Sequence, residues 1–112
     1  MRNQTFLNTI EDTRITFDRK ELELILRLYG RMVALGEWKD YGISMLRDYA
    51  LFSIYRRASE HPIYRIKKSS LYEKKSTEIY LILAMDGTIL KRGQDLSKVL
   101  RVLEKKLVRV VK

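Results

Sequence analysis

The stretch Glu78–Gly93, EIYLILAMDGTILKRG, decides the fold class of this 112-residue chain. Its first half, Glu78–Met85, is the most apolar run in the sequence and predicts a central strand that is buried on both faces. Asp86-Gly87 is the pair preferred by two-residue type I′ turns, so the chain is expected to fold back on itself as an antiparallel hairpin. This turn predicts a register in which Leu81 lies opposite Arg92.

A long helix is predicted upstream of the hairpin, over about Arg19–Leu35. Asp18 and Glu21 have the spacing of a capping box, and Gly36 supplies a left-handed stop. The apolar residues between these signals repeat at helical spacing, which indicates one buried stripe. They are Leu22, Ile25, Leu26, Tyr29, Met32 and Val33.

Three more strands are predicted between this helix and the hairpin, at Tyr41–Met45, Leu51–Tyr55 and Ile63–Lys67. A second helix is predicted to start after Asp95, which can serve as its cap. We therefore predict an α+β fold. In it, an antiparallel meander of about four to five strands carries an N-terminal and a C-terminal helix.

Length and composition describe a globular chain with a highly charged surface, since 46% of its residues are hydrophobic and 33% are charged. Residues 1–13 show no clear period and are predicted to form a flexible N-terminal arm, and residues 14–112 a single domain. The chain has no cysteine, and no run approaches the roughly 18 apolar residues of a membrane span. We expect a cytoplasmic protein.

Positive charge is concentrated in the second half of the chain. Residues 1–60 hold ten Lys/Arg and nine Asp/Glu, a net charge of +1, whereas residues 61–112 hold thirteen and five, a net charge of +8. Such an excess costs the folded protein self-repulsion and attracts polyanions. The distribution therefore predicts a polyanionic partner for the C-terminal half.

The predicted C-terminal helix carries the densest group of cations. Its apolar side consists of Leu96, Leu100, Leu103, Leu107 and Val110, and its cationic stripe of Lys98, Arg101, Lys105, Arg109 and Lys112. The helix dipole favours cations only in the last turn, so it does not account for Lys98 and Arg101. We interpret the stripe as a phosphate-binding surface. Further cations that extend it are Arg56, Arg57, Lys91 and Arg92.

Cations beside aromatic rings are typical of proteins that bind single-stranded nucleic acid, because cations hold phosphates and rings stack on bases. The tyrosines that stand close to basic residues are Tyr55, Tyr64, Tyr72 and Tyr80. The first hypothesis is therefore a module for RNA or single-stranded DNA, although tyrosines in strands are often just half-buried sheet residues. An anionic membrane surface would also suit a cationic amphipathic helix, but this one lacks interfacial Trp or Phe.

The sequence holds no recognisable catalytic or metal site. His61 is the only histidine, cysteine is absent, and the serines and acidic residues are scattered. A typical metal site needs more than one such ligand, and a phosphate loop needs clustered glycines. We expect a protein that is not an enzyme and that uses no metal or cofactor.

The alternative hypothesis is a protein-interaction module, as a homodimer or an adaptor. A five-stranded sheet with two helices leaves a face or an edge uncovered, and open edges invite pairing. Trp, Tyr and Arg dominate binding hot spots, which points to Trp38, Tyr41 and Arg31 as partner-binding residues. Trp38 also suits the role of a lid over the end of the first helix.

Several blocks of this sequence resemble a family of short bacterial proteins that is typical of alphaproteobacteria. They are Phe17–Leu22, Leu28–Ala34, Gly36–Tyr41, Phe52–Arg57, Pro62–Ile66 and Leu90–Gly93. Over about Ile15 to Val110 the chain is similar to the family catalogued as domain of unknown function 2794. The resemblance implies a free-standing bacterial cytosolic protein, and it carries neither an activity nor functional residues to this chain.

Overall fold

The computed structural model describes residues 14–57, 61–70 and 79–104, so the predicted arm over residues 1–13 lies outside it. Helix α1 (Arg19–Ala34) precedes five strands, and the short helix α2 (Leu96–Val99) comes after them. The strands are β1 (Asp40–Met45), β2 (Tyr49–Tyr55), β3 (Tyr64–Ser69), β4 (Tyr80–Ala84) and β5 (Ile89–Gly93). They form one antiparallel sheet in the order β1-β2-β3-β4-β5, which confirms the predicted α+β meander.

Helix α1 begins where the capping signals predict. The Asp18 carboxylate accepts a hydrogen bond from the backbone N–H of Glu21 at 2.8 Å, and the Glu21 carboxylate accepts one from the N–H of Asp18 at 2.7 Å. The helix is capped at its other end by Leu35. Gly36 comes next with φ +77°, a left-handed conformation that glycine adopts without strain.

The buried side of α1 is rotated from the predicted stripe. Its buried residues are Glu21, Ile25, Leu28 and Met32. Leu26 and Val33, which the prediction placed in the same stripe, are 39% and 41% exposed. They share a side of the helix with Tyr29, whose ring meets the Tyr41 ring of β1 at 4.9 Å. The prediction therefore merged two sides of α1, one facing the sheet centre and one facing β1.

The core lies between the two helices and one face of the sheet, which we call the core face. Its largest fully buried side chains are Phe52, Ile25, Leu28, Ile54, Ile66, Ile82, Leu103 and Val99. The opposite face, which we call the second face, carries the alternate residues of each strand. Both described helices contribute their buried residues to the core face, and neither packs on the second face.

Strand β4 is interior but is not the middle strand, because β3 occupies that position. It lies between β3 and β5, so the prediction of a strand away from the sheet edges is confirmed. Tyr80, Leu81 and Ile82 are all buried, so the predicted burial of both faces holds for the first three residues of β4.

The turn between β4 and β5 is not the predicted type I′ turn. That turn requires a positive φ at both central residues, Asp86 and Gly87. The φ of Gly87 is +90°, but the φ of Asp86 is not positive. The N–H of Gly87 donates to the carbonyl of Ala84 at 2.9 Å, and the N–H of Ala84 donates to the carbonyl of Thr88 at 2.8 Å. The loop is therefore three residues long, with glycine in its left-handed position.

The longer loop shifts the pairing by one residue near the turn, where Leu83 lies opposite Ile89. A bulge at Ile82/Leu83 absorbs the shift further along the strands. Beyond the bulge Leu81 lies opposite Arg92, as predicted. The predicted register is thus confirmed away from the turn and wrong beside it.

Among the described residues, the carboxylate of Glu21 is buried in the core. It accepts hydrogen bonds from the Tyr80 hydroxyl and, at 2.9 Å, from Lys68 Nζ, which also donates to the Thr16 carbonyl at 2.9 Å. Burial, and then the bond to Glu21, raise the pKa of Tyr80 well above its ordinary value. This buried polar cluster of Glu21, Lys68 and Tyr80 ties the start of α1 to β3 and β4.

Candidate nucleic-acid interface

Four of the predicted phosphate-binding cations converge at the edge of the sheet formed by β5. Lys91, Arg92 and Lys98 line a concavity of about 430 Å³. Lys91, Lys98 and Arg101 line an adjoining concavity of about 360 Å³. All four side chains are exposed. Strand β5 supplies Lys91 and Arg92, α2 supplies Lys98, and Arg101 lies in the helical residues 101–104 that come after α2. We call Lys91, Arg92, Lys98 and Arg101 the β5-edge cluster.

A tight connection between β5 and α2 produces this convergence. Asp95 caps α2 two residues after the strand ends, by accepting hydrogen bonds from the N–H of Ser97 at 3.1 Å and from its hydroxyl at 2.8 Å. Gly93 allows the close approach, since a Cβ there would lie 3.0 Å from Cγ2 of Val99. With Val99 buried on the core side, Lys98 is left on the outer side of α2.

No described carboxylate forms an ion pair with the β5-edge cluster. Glu104, the one acid within the predicted stripe, accepts a hydrogen bond at 2.7 Å from Nη2 of Arg31 on α1. Asp95 lines the larger concavity, and the hydrogen bonds from Ser97, with a smaller contribution from Lys98, lower the pKa of its carboxyl. Because the Asp95 carboxylate caps α2, the β5-edge cluster keeps an excess of positive charge.

The second face of the sheet continues the basic surface from this edge. Cross-strand pairing places Leu51, Lys67, Leu81 and Arg92 in one row across four strands. Lys67 and Arg92 are two strands apart, about 10 Å at the usual spacing. Arg92 therefore belongs both to the edge concavity and to the second face.

An aromatic ring on the second face lies beside one of these cations. Lys67 Nζ lies 4.6 Å from the centroid of the Tyr49 ring. Tyr49 and Tyr55 are the end residues of β2 and are half-buried on the second face, where they alternate with buried core residues. The predicted strand began at Leu51 and so did not include Tyr49. The missed signal was the alternation of β2, which extends two residues upstream of Leu51.

The four tyrosines proposed to stack on bases are divided by the fold. Tyr55 lies on the second face, and Tyr72 lies outside the described residues. Tyr80 is 8% exposed and bonded to Glu21, so it is part of the core. Tyr64 packs against the core, and burial raises the pKa of its hydroxyl. The second face thus presents Tyr55 from the predicted set, together with Tyr49.

The remaining predicted cations do not join the β5-edge cluster. Arg56 and Arg57 come directly after β2 at the opposite end of the sheet, roughly 20 Å from Lys91 by strand spacing and rise. Arg56 Nη2 lies 3.9 Å from the Glu37 carboxylate. The stripe residues Lys105, Arg109 and Lys112 lie outside the described residues.

The three residues predicted to bind a protein partner do not share one surface. Trp38 is 2% exposed and belongs to the core, the position expected of a lid. Tyr41 is 40% exposed and stacks on Phe52 at 4.7 Å between ring centroids. Arg31 lies on another side of α1, where it pairs with Glu104.

Metal-binding clusters and membrane-spanning helices are two further classes of feature that bear on function. Residues 14–57, 61–70 and 79–104 contain no group of three His, Cys, Asp or Glu side chains that could hold a metal ion. None of the helices that these residues form is long and apolar enough to cross a membrane.

Residues 15–100 match the model of a family described as Protein of unknown function (DUF2794). The chain belongs to this family. The matched DUF2794 region contains α1, all five strands and α2, together with three members of the β5-edge cluster. No curated protein and no solved structure matches the chain.

Proposed function

We propose that this DUF2794 protein is a nucleic-acid-binding module that takes RNA or single-stranded DNA in preference to a duplex. One observation carries the proposal: the four exposed cations of the β5-edge cluster line two adjoining concavities and have no ion pair among the described residues. Cations in such an arrangement bind a phosphate backbone by releasing its counterions.

The preference for single strands derives from the second face. A strand whose phosphates contact the β5-edge cluster can reach Lys67 and the Tyr49 ring by passing Arg92 at the corner. Unpaired bases can stack on exposed rings, whereas the bases of a duplex are already stacked inside it. We propose a binding protein and not an enzyme.

The proposal is tested with labelled oligonucleotides of one sequence, presented as single-stranded RNA, single-stranded DNA and duplex DNA. Fluorescence anisotropy across a salt series measures each affinity. We expect the single strands to bind more tightly than the duplex, with an affinity that falls steeply as salt rises. The triple variant Lys91→Glu, Lys98→Glu and Arg101→Glu is expected to lose single-strand affinity at least about 100-fold.

A matched variant controls for net charge. Lys39→Glu, Arg47→Glu and Arg56→Glu make the same change in charge on the β1–β2 side of the sheet. We expect this control to lose less than about tenfold in affinity, because long-range attraction is screened. Equal losses in the two variants, or no binding even at low salt, would contradict the proposal.

A protein-interaction module remains the second candidate, and one observation favours it. After Asp40, the β1 edge of the sheet carries no charged residue, and it is flanked by exposed apolar side chains. This edge lies on the opposite side of the sheet from the β5-edge cluster, so the two functions are compatible in one molecule.

A further inference from the structure

Strand β1 forms a regular edge of the sheet, with its one charged residue, Asp40, at the start. It pairs with β2 on one side, and no described strand pairs with it on the other. From Tyr41 to Met45 it carries no charged residue, no proline and no register shift. Proteins usually protect edge strands with such features, because an unprotected edge is a template for another strand.

Alternation in the ladder shows which backbone groups of β1 face this edge. The N–H of Leu46 donates to the Tyr49 carbonyl at 2.9 Å, which marks those two residues as a hydrogen-bonded pair. Hydrogen-bonded pairs recur at every second residue of an antiparallel ladder, so Ser44 and Gly42 also bond to β2.

The residues in between direct their backbone groups away from β2. These are Tyr41, Ile43 and Met45. The N–H of Tyr41 agrees with this assignment, because it donates to the side chain of Asp40 at 2.8 Å instead of to a β2 carbonyl. The edge therefore presents backbone N–H and C=O groups with which no described strand pairs, centred on Ile43.

The side chains beside this edge are apolar and partly exposed. On the core face, Tyr41 and Ile43 of β1 are 40% and 39% exposed. Helix α1 adds Leu26 and Val33 at similar exposure, on its side that faces β1. We call these four residues the β1-edge patch. Exposed apolar patches are typical of interaction surfaces.

We infer that the β1 edge pairs antiparallel with the β1 edge of a second copy of this chain. The result is a two-fold symmetric dimer in which two five-stranded sheets join into one. Only pairs among the outward residues Tyr41, Ile43 and Met45 can bond across the joint. When all three residues bond across the interface, Ile43 lies opposite the partner's Ile43, and Tyr41 lies opposite the partner's Met45.

This symmetry brings the two β1-edge patches together. A two-fold axis perpendicular to the joined sheet keeps both core faces on the same side, so both α1 helices lie there as well. Leu26 and Val33 of each copy then face the other copy across the Ile43 pair. Backbone hydrogen bonds and the burial of apolar side chains thus stabilise the same interface.

Charge favours a second copy at this edge over contact through any other part of the sheet. Residues 1–60, which include α1, β1 and β2, carry a net charge of +1, against +8 for residues 61–112. Two copies therefore repel each other least through β1. The dimer also places the two β5-edge clusters at the far ends of the joined sheet. It does not depend on the proposed nucleic-acid binding.

Light scattering on a sizing column, without nucleic acid, tests the inference over a concentration series from micromolar to millimolar. We expect twice the 13.4 kDa mass of one chain. Ile43→Lys places like charges face to face on the two-fold axis and is expected to give the mass of a single chain. Ile89→Lys is the matched control, because Ile89 is 40% exposed on the opposite edge strand. It is expected to leave the mass doubled.

Two checks separate a lost interface from a lost fold. Circular dichroism and the fluorescence of the buried Trp38 report whether each variant is folded. Leu26→Lys changes the same interface from α1 without touching β1, and we expect it to give a single chain as well. A chain that is monomeric at every concentration overturns the inference. So does a dimer that survives both Ile43→Lys and Leu26→Lys, or one that Ile89→Lys dissociates.

Discussion

The two edges of this sheet belong to one meander and differ in almost every chemical respect. The β1 edge is regular and carries no charged residue after Asp40, with Ile43 exposed at its centre. The β5 edge carries Lys91 and Arg92, contains a register shift, and leads directly into α2. Edge strands expose similar backbone groups, so the difference lies in the side chains and in the helix that succeeds β5. One edge is suited to pairing with a strand, the other to binding phosphates.

Gly93→Ala is expected to have the largest effect on stability, because it disturbs the edge where backbone and helix approach most closely. The added Cβ would lie 3.0 Å from Cγ2 of Val99, which is 1% exposed and has little room to move. We expect the free energy of unfolding to fall by about 2 kcal/mol. Urea denaturation followed by Trp38 fluorescence measures it. An unchanged midpoint would show that α2 is docked more loosely on β5 than the structure has it.

Tyr80→Phe tests the buried polar cluster that links α1 to the strands beside the β5 edge. The variant loses the hydroxyl bond to the buried Glu21 carboxylate, at a cost of about 1.5 kcal/mol at neutral pH. Chemical denaturation of both proteins at pH 7 gives this difference.

The same variant has a distinctive pH dependence. Burial raises the folded-state pKa of Tyr80 above its unfolded value of 10.0, so the folded state holds this proton more tightly. The resulting stabilisation is complete below pH 10.0 and is lost as pH rises through the folded-state pKa. We therefore expect stability to fall more steeply above pH 10.0 in the unmodified protein than in Tyr80→Phe. If the stabilities of the two proteins fall in parallel above pH 10.0, the Tyr80 hydroxyl is not the group that causes the alkaline loss.

Lys98→Ala with Arg101→Ala measures how many phosphates the β5 edge engages. Removing two phosphate contacts should reduce the slope of log affinity against log salt by about 1.4 for a single strand. We expect affinity at physiological salt to fall by about fivefold, or about 1 kcal/mol. Lys39→Ala with Arg56→Ala serves as the control at the other side of the sheet. A slope that changes equally in both pairs would mean that the edges do not differ in phosphate binding.

Gly42→Ala, the β1 counterpart of Gly93→Ala, is expected to have the smallest effect and the opposite sign. A Cβ at Gly42 meets no atom within 4 Å, and φ there is not positive. Alanine restricts the unfolded chain, so we expect a gain of about 0.5 kcal/mol. The measurement is the same urea denaturation. A loss in place of a gain would indicate that β1 is more closely packed at Gly42 than the structure shows.

Local signals in the sequence were sufficient to predict the main helices and strands and their order along the chain. The capping box of Asp18 and Glu21, the stop at Gly36 and the Asp86-Gly87 pair each act over three or four residues. Such signals depend only on neighbours along the chain, so α1, the hairpin and the meander could be predicted from them. The concentration of charge after residue 60 was equally visible.

The features that the sequence could not supply depend on contacts between distant residues. Which side of α1 is buried, and therefore why Leu26 and Val33 remain exposed, is decided by where the helix packs on the sheet. The shift near the turn comes from a three-residue loop, and a bulge at Ile82/Leu83 absorbs it; the Asp-Gly pair encodes neither.

The candidate site shows the same division between sequence and tertiary structure. Lys91, Arg92, Lys98 and Arg101 were evident as cations, and so were Arg56 and Arg57. Arg56 and Arg57 are separated from the other four by strand order and by position along the strands, because β2 lies three places from β5 and the two arginines follow its far end. Charge is a property of the residue and can be read from the sequence. Convergence is a property of packing, and the tertiary structure alone decided it.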